Sequence, residues 1–353
     1  MSAGTAYIAI GDRKVGHGQP CFMIAEAGVN HNGSLEQAIE LVDAAARAKA
    51  DAVKFQTFRA ELLVTQDAPK AQYQIAATGA AESQFQMLKK LELSAAAHRQ
   101  LASYCGQKGI IFLSTPFDNA SADFLHELGV PAFKIGSGEV TNLPLLSHVA
   151  RFGKPVIMST GMSGLGEVED ALKTLSAGGC RQIAVLHCVS NYPAAAADTN
   201  LRAMHTLGAA FGMPVGYSDH TLGLPISLAA VALGACIIEK HITLDRSLPG
   251  PDQFCSLEPA ELVALVEGIR MVEASLGHGR KEPAASEADV AAVARKSLVA
   301  AQDIPAGTVL TADLVCIRRP GTGLPPVMLQ YVLGRTAKAA ITAGALIGWE
   351  ALA

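Results

Sequence analysis

Two short segments, GYSDHT (Gly216 to Thr221) and IIEKHIT (Ile237 to Thr243), each end an apolar run with a histidine beside an acid, twenty-one positions apart. If the imidazoles of His220 and His241 meet, they can hold one divalent ion and leave its other positions open, which suits a catalytic metal more than a closed structural one. Glu239 is placed to hold a metal-bound water, and Asp219 to orient a ring from behind. Two lysines, Lys54 in AVKFQTF and Lys134 in AFKIGS, also lie within apolar runs. An ammonium group there is costly to bury unless it meets an anion. With the hydroxyls of Ser137, Ser159 and Ser218, the pair predicts a phosphate or carboxylate site. The competing reading pairs each lysine with Glu26 or Glu139 as scaffold. Gln56, Thr115, Thr160, Ser190 and Tyr192 stand at the ends of the same runs.

These residues can act together only if the ends of their runs converge. Eight strand-like runs begin at Phe22, Ala52, Ile110, Ala132, Pro155, Gln182, Met213 and Ala235. Between them lie amphipathic stretches such as SLEQAIELVDAAARAKA, where Ser34 can cap and Leu35, Ile39, Leu41, Val42 and Ala45 form one stripe. Strands alternating with helices imply a parallel sheet, and eight units in some 250 residues match an α/β (β/α)8 TIM barrel, whose active face collects all the strand ends. An open doubly wound sheet would carry Gly-x-Gly-x-x-Gly after its first strand, and AEAGVNHNGS lacks it. Gly136-Ser137-Gly138 lacks the third glycine, so dinucleotide binding is disfavoured. The expected organisation is a catalytic barrel over 1–278, a linker over 279–296 and a small β-rich module over 297–353. The excursion from Arg59 to Leu93 reads as a substrate lid. His98, His126, His148 and His205 read as surface groups on helices and His187 as core, while His31 in NHNG stays open between structure and function.

Composition narrows the partners. A formal net charge of −4, from 28 basic and 32 acidic residues with no basic run longer than a pair, offers no footprint for nucleic acid or anionic membrane. Seven scattered cysteines, with no C-x-x-C pair, predict reduced and mostly buried thiols. The first twenty residues have no basic head followed by an apolar core, so the expectation is a soluble cytoplasmic protein acting on small molecules.

AEAGVNHNGS, VKFQTF, FLSTPFD, FKIGSGE, STGM, HCVSNYP, GYSDHTLG, EKHITLD with PGPDQ, and RRPGTGL follow one another along nearly the whole chain. In this order and spacing the sequence resembles the bacterial sialic acid synthases. The resemblance implies a barrel followed by an antifreeze-like (SAF) domain. It also implies condensation of phosphoenolpyruvate with an N-acylated amino sugar, typically N-acetylmannosamine, to a nine-carbon 2-keto acid and phosphate. By the same resemblance Lys54, Lys134, Ser137, Ser159 and Ser218 would hold phosphoenolpyruvate, with Thr115 close by. His220 and His241, with Glu239 through a water, would bind manganese or magnesium. Glu26, Gln56, Tyr192 and Asp252 would meet the sugar, and Glu139 is a further candidate at the reacting centre. Arg319 would come from the partner's SAF domain in a domain-swapped homodimer. One departure bears on the substrate. Some N-acetylneuraminate-forming members carry Asn where this chain has Ser190, and serine there occurs in members making legionaminic or pseudaminic acid. Two other readings compete: a synthase acting on a sugar phosphate, which needs a second basic cluster, and an inert barrel carrying a carbohydrate- or ice-binding module.

Overall fold

The computed structural model describes residues 7–353. The first six residues, part of the segment read for a leader, lie outside the described residues. The chain divides into two compact units at Gly277 and His278.

In the first unit a hairpin, β1 (Tyr7–Ile10) and β2 (Arg13–Gly16), precedes eight parallel strands. These are β3 (Phe22–Gly28), β4 (Ala52–Thr57), β5 (Ile111–Pro116), β6 (Phe133–Ile135), β7 (Val156–Ser159), β8 (Ile183–Cys188), β9 (Val215–Asp219) and β10 (Ile237–His241). Their order in the sheet, β5-β4-β3-β10-β9-β8-β7-β6, joins first strand to last through β3 and β10. β5 and β6 complete the ring side by side without a continuous ladder. The eight runs expected from the sequence are thus the staves of a (β/α)8 barrel.

Alternation along each stave sorts the side chains, because successive residues of a strand face opposite sides. Phe22, Ile24, Ala52, Leu113, Ile157, Leu186 and Ile237 fill the interior together with Ile8, Ile10 and Val15 of the hairpin. The hairpin therefore plugs the end of the barrel opposite the strand termini. Residues of the other parity, such as Met23, Val53, Phe55 and Ile238, pack outward against the helices. The helix Leu35–Arg47 begins where Ser34 Oγ accepts the Gln37 N–H at 3.2 Å, and it buries Leu41 and Val42 against the sheet. Burying such a side chain contributes about 1.5–3 kcal/mol. Six of the seven cysteines are buried, and no disulfide forms among the described residues. No helix there is long and apolar enough to cross a membrane.

The second unit pairs β11 (Ser297–Ala300) antiparallel with β12 (Val315–Arg318). Leu298, Ile304, Leu310, Val332 and Ile347 form its own core. The stretch read as a linker holds a helix, Ala288–Ala294.

Candidate active site

The carboxyl ends of the staves open on a cavity of about 470 Å³. Glu26, Lys54, Gln56, Thr115, Lys134, Ser137, Ser159, Ser190, Tyr192, Ser218, His220, Glu239 and His241 all line it. Three candidates lie elsewhere. Glu139 turns away in a 3-10 turn and accepts a hydrogen bond from Asn142 Nδ2 at 2.6 Å. Asp252 is buried outside the cavity wall, and burial lifts its carboxyl to about 6 against the pull of His220. Arg319 is exposed in the second unit.

At the floor, two ammonium groups and two carboxylates interlock. Lys54 Nζ lies 2.7 Å from Glu26 and 3.8 Å from Glu239, and Lys134 Nζ lies 3.4 Å from Glu239. The scaffold partner of Lys134 is therefore Glu239, not Glu139. Burial raises the Glu26 carboxyl to about 7, against the attraction of Lys54 and with the repulsion of Glu239. Burial also lowers Lys134, outweighing Glu239 with help from its neighbour Lys54. For Lys54 burial is outweighed by Glu239 and Glu26, and its pKa rises.

The hydroxyls around this cluster can be sorted by where their protons go. Thr115 Oγ1 accepts from Lys54 at 2.8 Å, Ser159 Oγ from Lys134 at 2.7 Å, and Ser137 Oγ from the Gly161 N–H at 2.9 Å. Each hydroxyl retains its own proton for a further acceptor. Ser218 is different: it donates to Glu239 Oε1 at 3.0 Å, so its proton is already committed. Two ammonium groups and three free hydroxyl donors are what an anion of the phosphate or carboxylate class requires.

Above the floor the rings of His220 and His241 lie 5.5 Å apart between centroids. His220 Nδ1 donates to the Val189 carbonyl at 2.7 Å, which leaves Nε2 as the lone-pair nitrogen. His241 is held neutral, its pKa pushed well down chiefly by burial, and its buried Nδ1 has no protein partner among the described residues. No cluster of three or more His, Cys, Asp or Glu closes around a point among those residues. Two imidazoles with Glu239 nearby could hold an ion whose other ligands come from water and substrate.

Asp219 does not orient a ring. Its carboxylate points outward, accepting from Lys240 at 2.7 Å, Ser227 at 2.5 Å, and both the N–H and hydroxyl of Thr221. Residues 219 and 240 have the outward parity of their strands, whereas 218, 239 and 241 face inward. His98 is not a surface group either. It is buried, with its ring at 3.1 Å from Thr57 Oγ1. His187 is half-buried and bonded to the Thr199 carbonyl. His31 resolves as structural: its Nδ1 accepts the Gly33 N–H at 3.0 Å, and burial keeps it neutral by lowering its pKa to about 4.

Sequence reasoning missed four cavity residues with polar or titratable side chains: Cys188, whose sulfur lies 3.8 Å from His220 Nδ1, and Tyr73, Gln74 and Gln84 from the lid. The lid itself was legible as an excursion. Its individual side chains carried no signal, since lone polar residues on short helices normally face solvent.

The NeuB family model matches residues 41–281, and the SAF domain model matches residues 295–353. The chain belongs to the NeuB family. This NeuB-family chain is 46% identical over 339 residues to the N,N'-diacetyllegionaminic acid synthase of Legionella pneumophila, covering 95% of each. It is 48% identical over 317 residues to the N,N'-diacetyllegionaminic acid synthase of Campylobacter jejuni, covering 89% of this chain and 95% of that one. Among solved structures, the N-acetylneuraminic acid synthetase of Leptospira borgpetersenii matches with a TM-score of 0.71 at 38% identity, covering 82% of this chain and 96% of that one. The NeuB-family chain is accordingly an enzyme of the synthase kind, a barrel followed by a SAF domain.

The floor of this NeuB-family site depends on a bulge. The register of β3 against β4 shifts between Glu26 and Gly28, and Gly28 has φ +53°. A Cβ on Gly28 would stand 3.1 Å from Glu26 Oε1, 3.4 Å from Gln56 Nε2 and 3.5 Å from His241 Cε1. Gly28→Ala is expected to lower turnover by about tenfold or more by displacing these groups, at a stability cost of only about 1 kcal/mol. Kinetics beside thermal melting checks it, and unchanged turnover would show that the bulge does not position the site.

Proposed function

We propose that this enzyme condenses phosphoenolpyruvate with the open-chain aldehyde of an N-acylated amino sugar and water, giving a nine-carbon 2-keto sugar acid and phosphate. The observation that carries the reading is the anion site: Lys54 and Lys134, both nearly inaccessible to solvent, beside three hydroxyls with free protons. Phosphoenolpyruvate brings a phosphate and a carboxylate, and those donors suit both. Among the described residues the cavity wall holds no further lysine or arginine, so this chain by itself offers a sugar phosphate no second cationic site.

In this reading His220 and His241 hold a manganese or magnesium ion, with Glu239 reaching it through a water. When bound, that ion supplies Lewis acidity toward the sugar's aldehyde oxygen. The chain's own residues do the rest. Lys54, Lys134 and the hydroxyls orient the enol so that its carbon 3 faces the aldehyde carbon. As the carbon–carbon bond forms, positive character grows at carbon 2, which the carboxylates of Glu26 and Glu239 stabilise. Water then adds to carbon 2 and gives its proton to a carboxylate. That proton passes to the former aldehyde oxygen, the bond between carbon 2 and the ester oxygen of the phosphate breaks, and phosphate leaves onto the two lysines, taking the proton of the carbon 2 hydroxyl as the ketone forms. Gln56 and Tyr192 face the sugar. The domain-swapped homodimer belongs to the same proposal, as does a cytoplasmic location.

The experiment is phosphate release from phosphoenolpyruvate and manganese with N-acetylmannosamine, a 2,4-diacetamido-trideoxyhexose, or arabinose 5-phosphate, with mass spectrometry of the products. Release with an N-acyl sugar supports the proposal, and release only with the sugar phosphate overturns it. Chelation is expected to abolish turnover and manganese to restore it; turnover that survives exhaustive chelation would remove the ion from the reading. A diacetamido sugar as the natural substrate, giving legionaminic acid, is favoured by the 46% and 48% identity to relatives bearing that name.

A further inference from the structure

The lid supplies the part of the cavity wall that the staves do not. Its helices Gln72–Thr78 and Gln84–Leu91 bring Tyr73, Gln74 and Gln84 to the cavity. The Tyr73 ring stacks on Tyr192 with centroids 4.9 Å apart and 29° between planes. Tyr192 in turn lies 4.0 Å from the His220 ring, so the lid is keyed to the candidate metal ligands.

The two glutamine amides are oriented by their own contacts. Gln74 Oε1 accepts the Ala71 N–H at 2.9 Å and Gln84 Nε2 at 3.2 Å. Backbone N–H groups only donate, so the oxygen is identified and the Gln74 amino group faces the other way. Its protein partner there is the Tyr73 hydroxyl at 3.4 Å, which leaves one N–H free. Gln84 spends an N–H on Gln74, and its Oε1 takes no hydrogen bond from the described residues. The wall thus offers an amide N–H and an amide carbonyl beside an aromatic face.

That set is the complement of a secondary amide. The acyl carbonyl accepts from Gln74, the acyl N–H donates to Gln84, and the acyl methyl lies against the Tyr73 ring. A sugar hydroxyl at the same place would bring no methyl for the ring. If the aldehyde end is at His220 and His241, as the condensation reading has it, the lid side chains on the cavity wall are left for a part of the sugar other than the aldehyde. We propose that Gln74, Gln84 and Tyr73 form a subsite for a second N-acyl group, selecting diacylamino sugars over monoacylamino ones. This deepens the condensation reading and rests on it.

Gln84 is the residue to change. Ser83 caps the helix that Gln84 begins, with Gln86 closing the capping box, so the Gln84 side chain has no part in the cap. Gln74, in contrast, holds the start of its own helix through Ala71. The test compares kcat/KM of the full-length enzyme for a 2,4-diacetamido-2,4,6-trideoxyhexose and for N-acetylmannosamine, in wild type and Gln84→Met. The wild type is expected to prefer the diacetamido sugar, and the preference to fall about tenfold or more in the variant, as expected when a polar group built to pair with the substrate is lost. A preference unchanged by the substitution overturns the subsite, whether both rates fall together or neither falls. Equal use of the two sugars by the wild type also overturns it and leaves the condensation standing. A wild type that releases phosphate with neither sugar overturns the condensation and the subsite with it.

Discussion

Replacing Lys134 by methionine is expected to lower kcat/KM for phosphate release by about a thousandfold, the cost of removing one preorganised charged donor from a water-poor site, while the thermal midpoint moves by only a few degrees. The Lys134 ammonium donates to Ser159 Oγ at 2.7 Å and to the Ile135 carbonyl at 3.1 Å, and lies 3.4 Å from Glu239. Removing it deprives the anion site of one of its two cations. The fold tolerates the change because methionine keeps the stem's volume and Glu239 retains Ser218 at 3.0 Å and Lys54 at 3.8 Å. Replacing a buried charge by an apolar side chain of similar shape also removes its desolvation cost. Steady-state kinetics and thermal melting of the same preparation decide the matter. Activity within tenfold of wild type would mean that Lys134 is scaffold and that the anion binds elsewhere.

Asp219→Ala reverses the pattern, with large loss of stability and no direct loss of a cavity group. The Asp219 carboxylate and the Lys240 ammonium are both almost fully buried, 2.7 Å apart. Truncating the acid leaves Lys240 with only the Thr221 carbonyl and deprives Ser227 and Thr221 of their acceptor. An uncompensated buried charge of this kind costs about 3–5 kcal/mol, a fall in melting temperature on the order of 10 °C for a unit of this size. Asp219→Ala with Lys240→Met is expected to recover much of that loss, because both charges then leave together. Calorimetry that finds the single variant as stable as wild type, or the double variant no better than the single, would refute the assignment.

The contrast between these two lysines shows what alternation along a strand can and cannot tell. Counting by twos from Ile237 places Glu239 and His241 inside the barrel and Lys240 outside, and counting from Ser218 sends Asp219 outward. The inward set was therefore legible, and so was the convergence of eight strand ends, because both follow from local periodicity and the closure of a parallel sheet. The role first given to Asp219 failed because adjacency to His220 in sequence is opposition in a strand. His98 failed for a related reason: a helix position says nothing about which loop or hydroxyl lies across from it.

The sequence by itself determined the barrel, the strand-end lysines and histidines, and the small second module, since each rests on hydrophobic period or on residues whose burial demands a partner. Only the tertiary structure decided which partner. Glu239 rather than Glu139 meets Lys134, Ser218 spends its proton on that glutamate, and lid amides more than a hundred residues from His220 complete the wall. Such pairings depend on distances across the barrel mouth, where ångström differences between loops separate a hydrogen bond from none, and no local pattern of residues encodes those distances.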